Sequence, residues 1–528
     1  MRLAYNNAGA VESILFNGQS VVDEIAYNAR GQRILMASGS ILTRYAYDAA
    51  TFRLARIRAQ RFTKSGHTYS PESGTVRLDR GYTYDLMGSV LKEHDKPPDT
   101  TASQGPGNLE RTFVHDPLRR LISATGRESD VGMHIPPWDH TTYHENHNDT
   151  SAYTRNYSYD KLGNILSLQH LATGQNTQNF TRQYNYADPF THNRLSSFAA
   201  GGSTYHYTYD ANGNILTENT DRHLGWNFAD KLIFFKKQAG GGSPSIWVHY
   251  LYAPDGTRMK KVVNKPGGIQ EVTVYTRPER SRGVNGLYEH SYTKNSGTID
   301  STRHYNTLHI SDGESRIATL RVGNDADDSS PAQKFYISDH LSNCSVTVQA
   351  NGARYSLEEF YPFGETSFGS YSKKRYRYNG KERDGESGYY EYGQRYYAPW
   401  LCRFVSVDPI AEKFPHLSSY NYASNRPVTS MDMEGLQAQD EPDNSPVTTK
   451  NESGSATQSG NLPIITPKLK KDFEAFMSND STNQNVVAKQ NDQILTNIEP
   501  FRTDNTTVKI SESNPIANNN ITEEKLST

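Results

Sequence analysis

Tyr157-Ser158-Tyr159-Asp160-Lys161-Leu162-Gly163-Asn164-Ile165-Leu166 and Tyr207-Thr208-Tyr209-Asp210-Ala211-Asn212-Gly213-Asn214-Ile215-Leu216 share seven of their ten residues. In a strand, Tyr-x-Tyr alternates, so both rings fall on one face. Asp-x-x-Gly-Asn then supplies a turn, with Asp bonding its own backbone and Gly or Asn taking positive φ. Ile-Leu begins the return strand. Each unit is a β-hairpin that cannot bury its face alone, so stacked hairpins must share a continuous sheet. Looser copies begin at Tyr5, Tyr27, Tyr45, Tyr82 and Tyr252. An ordinary β-sandwich with coincidental Tyr-Asp pairs is the bland alternative, and the match between the two ten-residue units argues against it.

Composition agrees with an all-β reading. The 528 residues carry 56 Lys+Arg against 58 Asp+Glu, a net charge of -2. That balance excludes nucleic-acid binding through a general basic field. Hydrophobic residues are only 34% and mean hydropathy is -0.78, yet there are 35 Tyr and 39 Gly. A disordered tether would be poor in aromatics, and a helical bundle would lean on Leu, Ala, Glu and Lys. Tyr and Gly instead suggest many short strands in which each ring is buried and its hydroxyl stays wet. Two cysteines, Cys344 and Cys402, give neither a disulfide framework nor a metal-ligand cluster. The start lacks a Sec-type signal, and no run of 18 apolar residues spans a membrane as a helix.

The composition changes after Leu436. Residues 437–528 contain no Tyr, Trp, His or Cys, and carry 8 basic and 13 acidic residues. This tail reads as largely disordered, with Lys468 to Met477 and Asn491 to Ile498 as two helix-like segments. Without His or Cys it has no Ser-His triad, Cys-His nucleophile or typical zinc site, so no enzymatic activity is identifiable in it. Polar insertions at Lys96 to Asn108 and Gly132 to Thr150 read as surface loops. The second holds His134, His140, His144 and His147, without ligand spacings that would favour a metal.

The Tyr-Asp units resemble YD repeats of the RHS family. Tyr361-Pro-Phe-Gly-Glu365, the stretches Tyr376 to Asp384 and Ser387 to Trp400, and Arg403 to Pro409 resemble the RHS-associated core, which closes with Asp432-Met-Glu-Gly-Leu436. His192-Asn-Arg-Leu195, Leu224-Gly-Trp-Asn-Phe228 and Thr307-Leu-His309 resemble the version found in Tc insecticidal toxin complexes. The resemblance implies a spiral, hollow β-shell (cocoon) segment over residues 1–335. It implies an RHS-core plug with an autoproteolysis site over 336–436, and a variable C-terminal cargo over 437–528. The core of this family cuts the chain after the Leu of its final Asp-x-x-Gly-Leu, here Leu436. The implied chemistry is that of aspartic proteases, in which two carboxylates sharing a site hold one proton between them. By motif match the candidates are Asp408 and Asp432, with Arg383 and Asp384 in support. The pattern departs from the family's Asp-Pro-x-Gly at Ala411 and Met433, and Cys402 stands where Gly is usual. The purely structural role of such carboxylates is turn capping.

Taken together, the sequence predicts a cargo-encapsulating shell component of a Tc/RHS-type toxin. It would be made in the cytoplasm and secreted or delivered without a visible Sec signal, self-cleaving after Leu436. A closed shell of this type is larger than 436 residues, so either a larger repeat-bearing, B-component-like partner completes it or the chain is a fragment of a longer gene. The alternative is a cell-surface or contact-dependent RHS protein whose repeats bind carbohydrate or a neighbouring cell, without cleavage. No cofactor, metal, nucleic-acid partner or membrane span is expected.

Overall fold

The computed structural model describes residues 1–66, 68–95, 110–130, 138, 149–175, 177, 179–186, 192–276, 288–312, 315–369, 374–436, 438–440 and 508–509. Twenty-eight consecutive strands, from Arg2–Tyr5 to Thr366–Gly369, each pair antiparallel with the next, and Val508–Lys509 adds to the strand Thr68–Tyr84, making a 29-stranded sheet. The fold is therefore all-β and built from hairpins, as the repeats predict. The sheet runs without a break past residue 336, where the core was expected to begin.

Each hairpin turn has the geometry its residues dictate. Asp160 N–H donates to the Asn164 carbonyl at 2.9 Å, the Asp160 carboxylate accepts from Leu162 and Asn164 N–H at 2.9 and 2.8 Å, and Gly163 takes φ +80°. The same turn recurs at Asp210 to Asn214, where Gly213 has φ +91°. Where Gly is missing, another residue is forced into the left-handed region: Arg119 (φ +65°), Asp230 (φ +53°) and Ser342 (φ +60°).

The hydroxyls of the second Tyr of these units depart from expectation, because they bond to the backbone of the preceding strand. The strand register slips by one residue just before the second Tyr of a unit, as at Ser158/Tyr159, a bulge that re-aims its ring. Tyr159 OH then donates to the carbonyl of Leu121, the first residue of the preceding strand, at 2.6 Å. Tyr27, Tyr47, Tyr84, Tyr186 and Tyr252 make the same bond to Val11, Arg33, Leu54, Ile165 and Leu232 at 2.7 to 3.0 Å. In Leu224-Gly-Trp-Asn-Phe228 a Trp takes this place, and Trp226 Nε1 reaches the Ile215 carbonyl at 2.7 Å. Each unit is thus stapled to the one before it.

The wall closes on itself. Arg33 pairs with Asp312, Ser40 Oγ donates to the Ala350 carbonyl at 2.7 Å, and Arg77 Nε to the Gly352 carbonyl at 2.9 Å. Residues 374–436 pack against the inner face and form a small four-stranded sheet of two- and three-residue strands, Glu382–Arg383, Tyr390–Glu391, Tyr396–Ala398 and Arg403–Phe404. Wall and plug share one apolar cluster, to which Tyr157, Phe198, Tyr207, Tyr389, Trp400 and Tyr422 contribute. Buried bases of the wall meet carboxylates on its own last strands and turn, and on the inner segment. Arg111 pairs with Glu359 at 2.6 Å, Arg155 and Arg182 with Glu365 at 2.8 Å, and Arg258 with Glu382 at 2.6 Å. Among the described residues no helix is long and apolar enough to cross a membrane.

Candidate cleavage site

Asp408 and Asp432, separated by 24 positions of sequence, meet at one side chain that sequence reading had not singled out. Arg395 follows the turn Tyr392-Gly393-Gln394 and leads into Tyr396–Ala398, with its guanidinium stacked 3.7 Å above the Phe404 ring. Its Nη2 lies 2.9 Å from Asp408 Oδ2 and 3.5 Å from Asp432 Oδ2. The same nitrogen donates to the Leu436 carbonyl at 3.0 Å, while Nε donates to the Gly435 carbonyl. One buried cation therefore touches both candidate carboxylates and the carbonyl of the expected cleavage position.

Asp432 ends the strand Ser430–Asp432, which pairs with Ala438–Asp440, so Leu436 lies in the loop of a tight hairpin. The Asp432 Oδ1 accepts backbone N–H groups from Glu434, Gly435 and Leu436. Carbonyls of the same loop are held by Lys381 Nζ on Met433 and by Gln394 N–H on Glu434. Gly435 takes φ +72°, and a Cβ there would come within 2.9 Å of Arg395 N, so this position requires glycine. Asp408 is half-buried. It caps its own turn through Ile410 N–H at 2.9 Å, and Ala411 N–H closes on its carbonyl at 3.0 Å. Capping and assembly at Arg395 thus coexist in one residue. The turn survives without glycine because Ala411 is not in the left-handed region.

Burial pushes both carboxyls above the usual Asp range, against the pull of Arg395, and the Asp432 charge adds to the rise at Asp408. Burial also pulls the Arg395 guanidinium down. The pair is thereby biased toward holding a proton.

Asp384 sits elsewhere. It is fully buried, accepts from Tyr250 OH at 2.9 Å, and pairs with Arg258 and Lys261 at 3.1 Å. Those cations outweigh burial and hold it as a carboxylate, with its pKa lowered to about 2. Arg383 donates to the Trp138 carbonyl at 3.2 Å. Cys402 occupies the left-handed region at φ +55°, which accounts for the glycine usual there, and burial pushes its thiol and that of Cys344 upward. The four histidines of the Gly132 to Thr150 loop, and the two helix-like segments of the tail, lie outside the described residues. Among the described residues no group of three or more His, Cys, Asp or Glu is arranged to hold a metal.

No family model matches the chain. It is 29% identical to toxin subunit YenC1 of Yersinia entomophaga over 456 residues, 82% of this chain and 45% of that protein. The crystal structure of TcdB2-TccC3 superposes on 82% of the chain with a TM-score of 0.69 and 26% identity. The chain is a homologue of Tc toxin subunits. A Tc holotoxin pore from Photorhabdus luminescens is similar over 83% of the chain, again with a TM-score of 0.69. The chain spans about half the length of YenC1, and its alignments cover 21% and 20% of those two solved chains.

Proposed function

We propose that this Tc-type chain is part of a cargo-holding toxin shell and cuts itself once, after Leu436. The observation that carries the reading is Arg395 Nη2, which bridges Asp408, Asp432 and the Leu436 carbonyl at 2.9, 3.5 and 3.0 Å. Arg395 polarises that carbonyl, as a donor aimed at developing negative charge does. The two carboxyls share one proton, which belongs to the pair and not to either residue. The ionised member takes a proton from water as its oxygen adds to the Leu436 carbonyl carbon. The protonated member gives its proton to the departing Gln437 nitrogen, and the C–N bond breaks. The products are a Leu436 carboxylate and a Gln437 amine. Arg395 is already placed to pair with that carboxylate, which keeps the new end in the plug.

In this reading Asp384 and Arg383 are not acid–base groups: the Asp384 network locks plug to wall. The wall is an RHS-type YD-repeat array closed on its inner side by an RHS-core plug. It is completed by a larger repeat-bearing component, and the assembly is delivered outside the producing cell. The 92 residues after Leu436 are the released segment. Sequencing the small fragment from its N-terminus tests the position of the cut. The expected first residue is Gln437, and a fragment beginning elsewhere contradicts the assignment.

A further inference from the structure

Lys381, only 3% exposed, closes a turn that begins at Arg377, with Asn379 and Gly380 in the left-handed region at φ +49° and +65°. Asn379 fixes that turn. Its N–H donates to Asn343 Oδ1 at 2.8 Å and its Nδ2 to the Leu341 carbonyl at 2.9 Å. Its Oδ1 accepts from the Tyr392 and Tyr422 hydroxyls at 2.9 and 2.6 Å. Lys381 therefore leaves a firmly held base. Its Nζ lies 5.2 Å from the centre of the Tyr392 ring and donates to the Met433 carbonyl.

The loop from Met433 to Leu436 is thereby strung between two anchors. The carbonyls of Glu434, Gly435 and Leu436 are held by Gln394 N–H and by Arg395. Gln394 is tied in turn to the wall by Lys231 Nζ, which donates to its carbonyl at 3.2 Å. The Met433 carbonyl is held by the other anchor, Lys381. Met433 has no ring to fix its φ, so the start of the loop takes its direction from that bond. The path that carries the Leu436 carbonyl to Arg395 begins there. Lys381 also brings a second cation to Asp432. The groups facing this carboxyl are Arg395, Lys381 and Asp408, with the Tyr392 and Tyr422 hydroxyls, while Arg316 and Cys344 line the small cavity beside it. Burial raises Asp432, and the two cations Arg395 and Lys381 oppose the rise.

We propose that Lys381 is a positioning residue for the cut after Leu436, aiming the loop through Met433 and serving as the second cation on Asp432. The inference rests on the self-cleavage reading. Its charge keeps a second proton off the Asp408–Asp432 pair, so that one member stays ionised to take a proton from water. The test uses the full chain made in a cell-free system, moved to buffers of set pH and followed on a denaturing gel. Lys381→Met should slow the cut by roughly tenfold or more. Loss of a cation raises a neighbouring carboxyl, so the pH profile of the residual cut should also move toward higher pH. Lys381→Arg, which keeps the charge and a donor, should restore the profile. A Lys381→Met chain that cuts at the unaltered rate overturns the proposal. So does one slowed equally at every pH, which would make the residue part of the packing alone. Should a thermal melt show Lys381→Met to be unfolded, Lys381→Gln keeps a donor for Met433 without the charge and must show the same shift of profile. An unaltered chain that never cuts is a different failure, that of the self-cleavage reading itself, and it removes this role with it.

Discussion

At the scale of single residues, the site depends on what each oxygen of Asp432 is doing. Oδ1 holds the loop through three N–H groups and Oδ2 faces Arg395. Asn at 432 retains the Oδ1 acceptor while losing the acid–base group. Asp432→Asn is therefore expected to change stability by no more than about 1 kcal/mol, the worth of a typical hydrogen bond, yet to stop cleavage. A thermal melt beside a denaturing gel checks both. Burial raises both Asp pKa values, so the shared proton is held best in acid and lost as pH rises. Single-turnover cleavage should slow on the alkaline side, and a rate that is flat or rising with pH would count against a shared-proton mechanism. Asp408, Asp432 and Leu436 were legible in the sequence because they lie in recognisable motifs. Arg395 was not, since only folding brings the Gln-Arg-Tyr-Tyr stretch under both acids. Asp384 lies apart from them, and the sequence did not show this because its partners, Arg258 and Lys261, lie more than a hundred residues upstream.

At the scale of the hairpin, two bonds carry the repeat: the staple from the second Tyr and the glycine turn. Tyr159→Phe removes the bond to Leu121 and leaves a buried carbonyl short of a donor, a loss of about 1 kcal/mol. Gly163→Ala should cost more. Its φ of +80° is a left-handed position, and a Cβ there would lie 2.6 Å from Asn425 Nδ2, which donates to the Gly163 carbonyl at 2.8 Å. The backbone term alone is about 1–2 kcal/mol, and the turn's grip on the plug goes with it. Chemical denaturation of both variants orders them, and a Gly163→Ala protein as stable as Tyr159→Phe would contradict this account of the turn. Strand, turn and return strand were all readable from Tyr-x-Tyr-Asp-x-x-Gly-Asn. The staple was not, because the bulge that swings the second ring toward the preceding strand is a property of the paired sheet. The Trp226 unit shows the same limit, with a different ring performing the same task.

At the scale of the molecule, the wall holds its plug through buried ion pairs as well as apolar packing. Cations around Glu358 and Asp384 lower each carboxyl to about 2, from ordinary values near 4. Depressed carboxyls contribute stability that is present above their unfolded pKa and lost as pH falls through the folded one. The unfolding temperature should thus hold from neutral pH to about pH 5 and fall between about pH 4 and 2. Acid melts followed by tyrosine absorbance test this, and a chain equally stable at pH 3 and pH 7 would show that these pairs do not anchor the plug. The boundary at Leu436 was visible as a change of composition, and it falls in the loop that Asp432, Lys381 and Arg395 hold closed. The central claim, a single self-inflicted cut at that loop, is tested most directly by the intact mass of the purified chain and of its Asp408→Asn variant under denaturing conditions. The account predicts two fragments that together make up the 59.4 kDa chain in the first case and one full-length species in the second. An unaltered chain that remains a single 59.4 kDa species would contradict it.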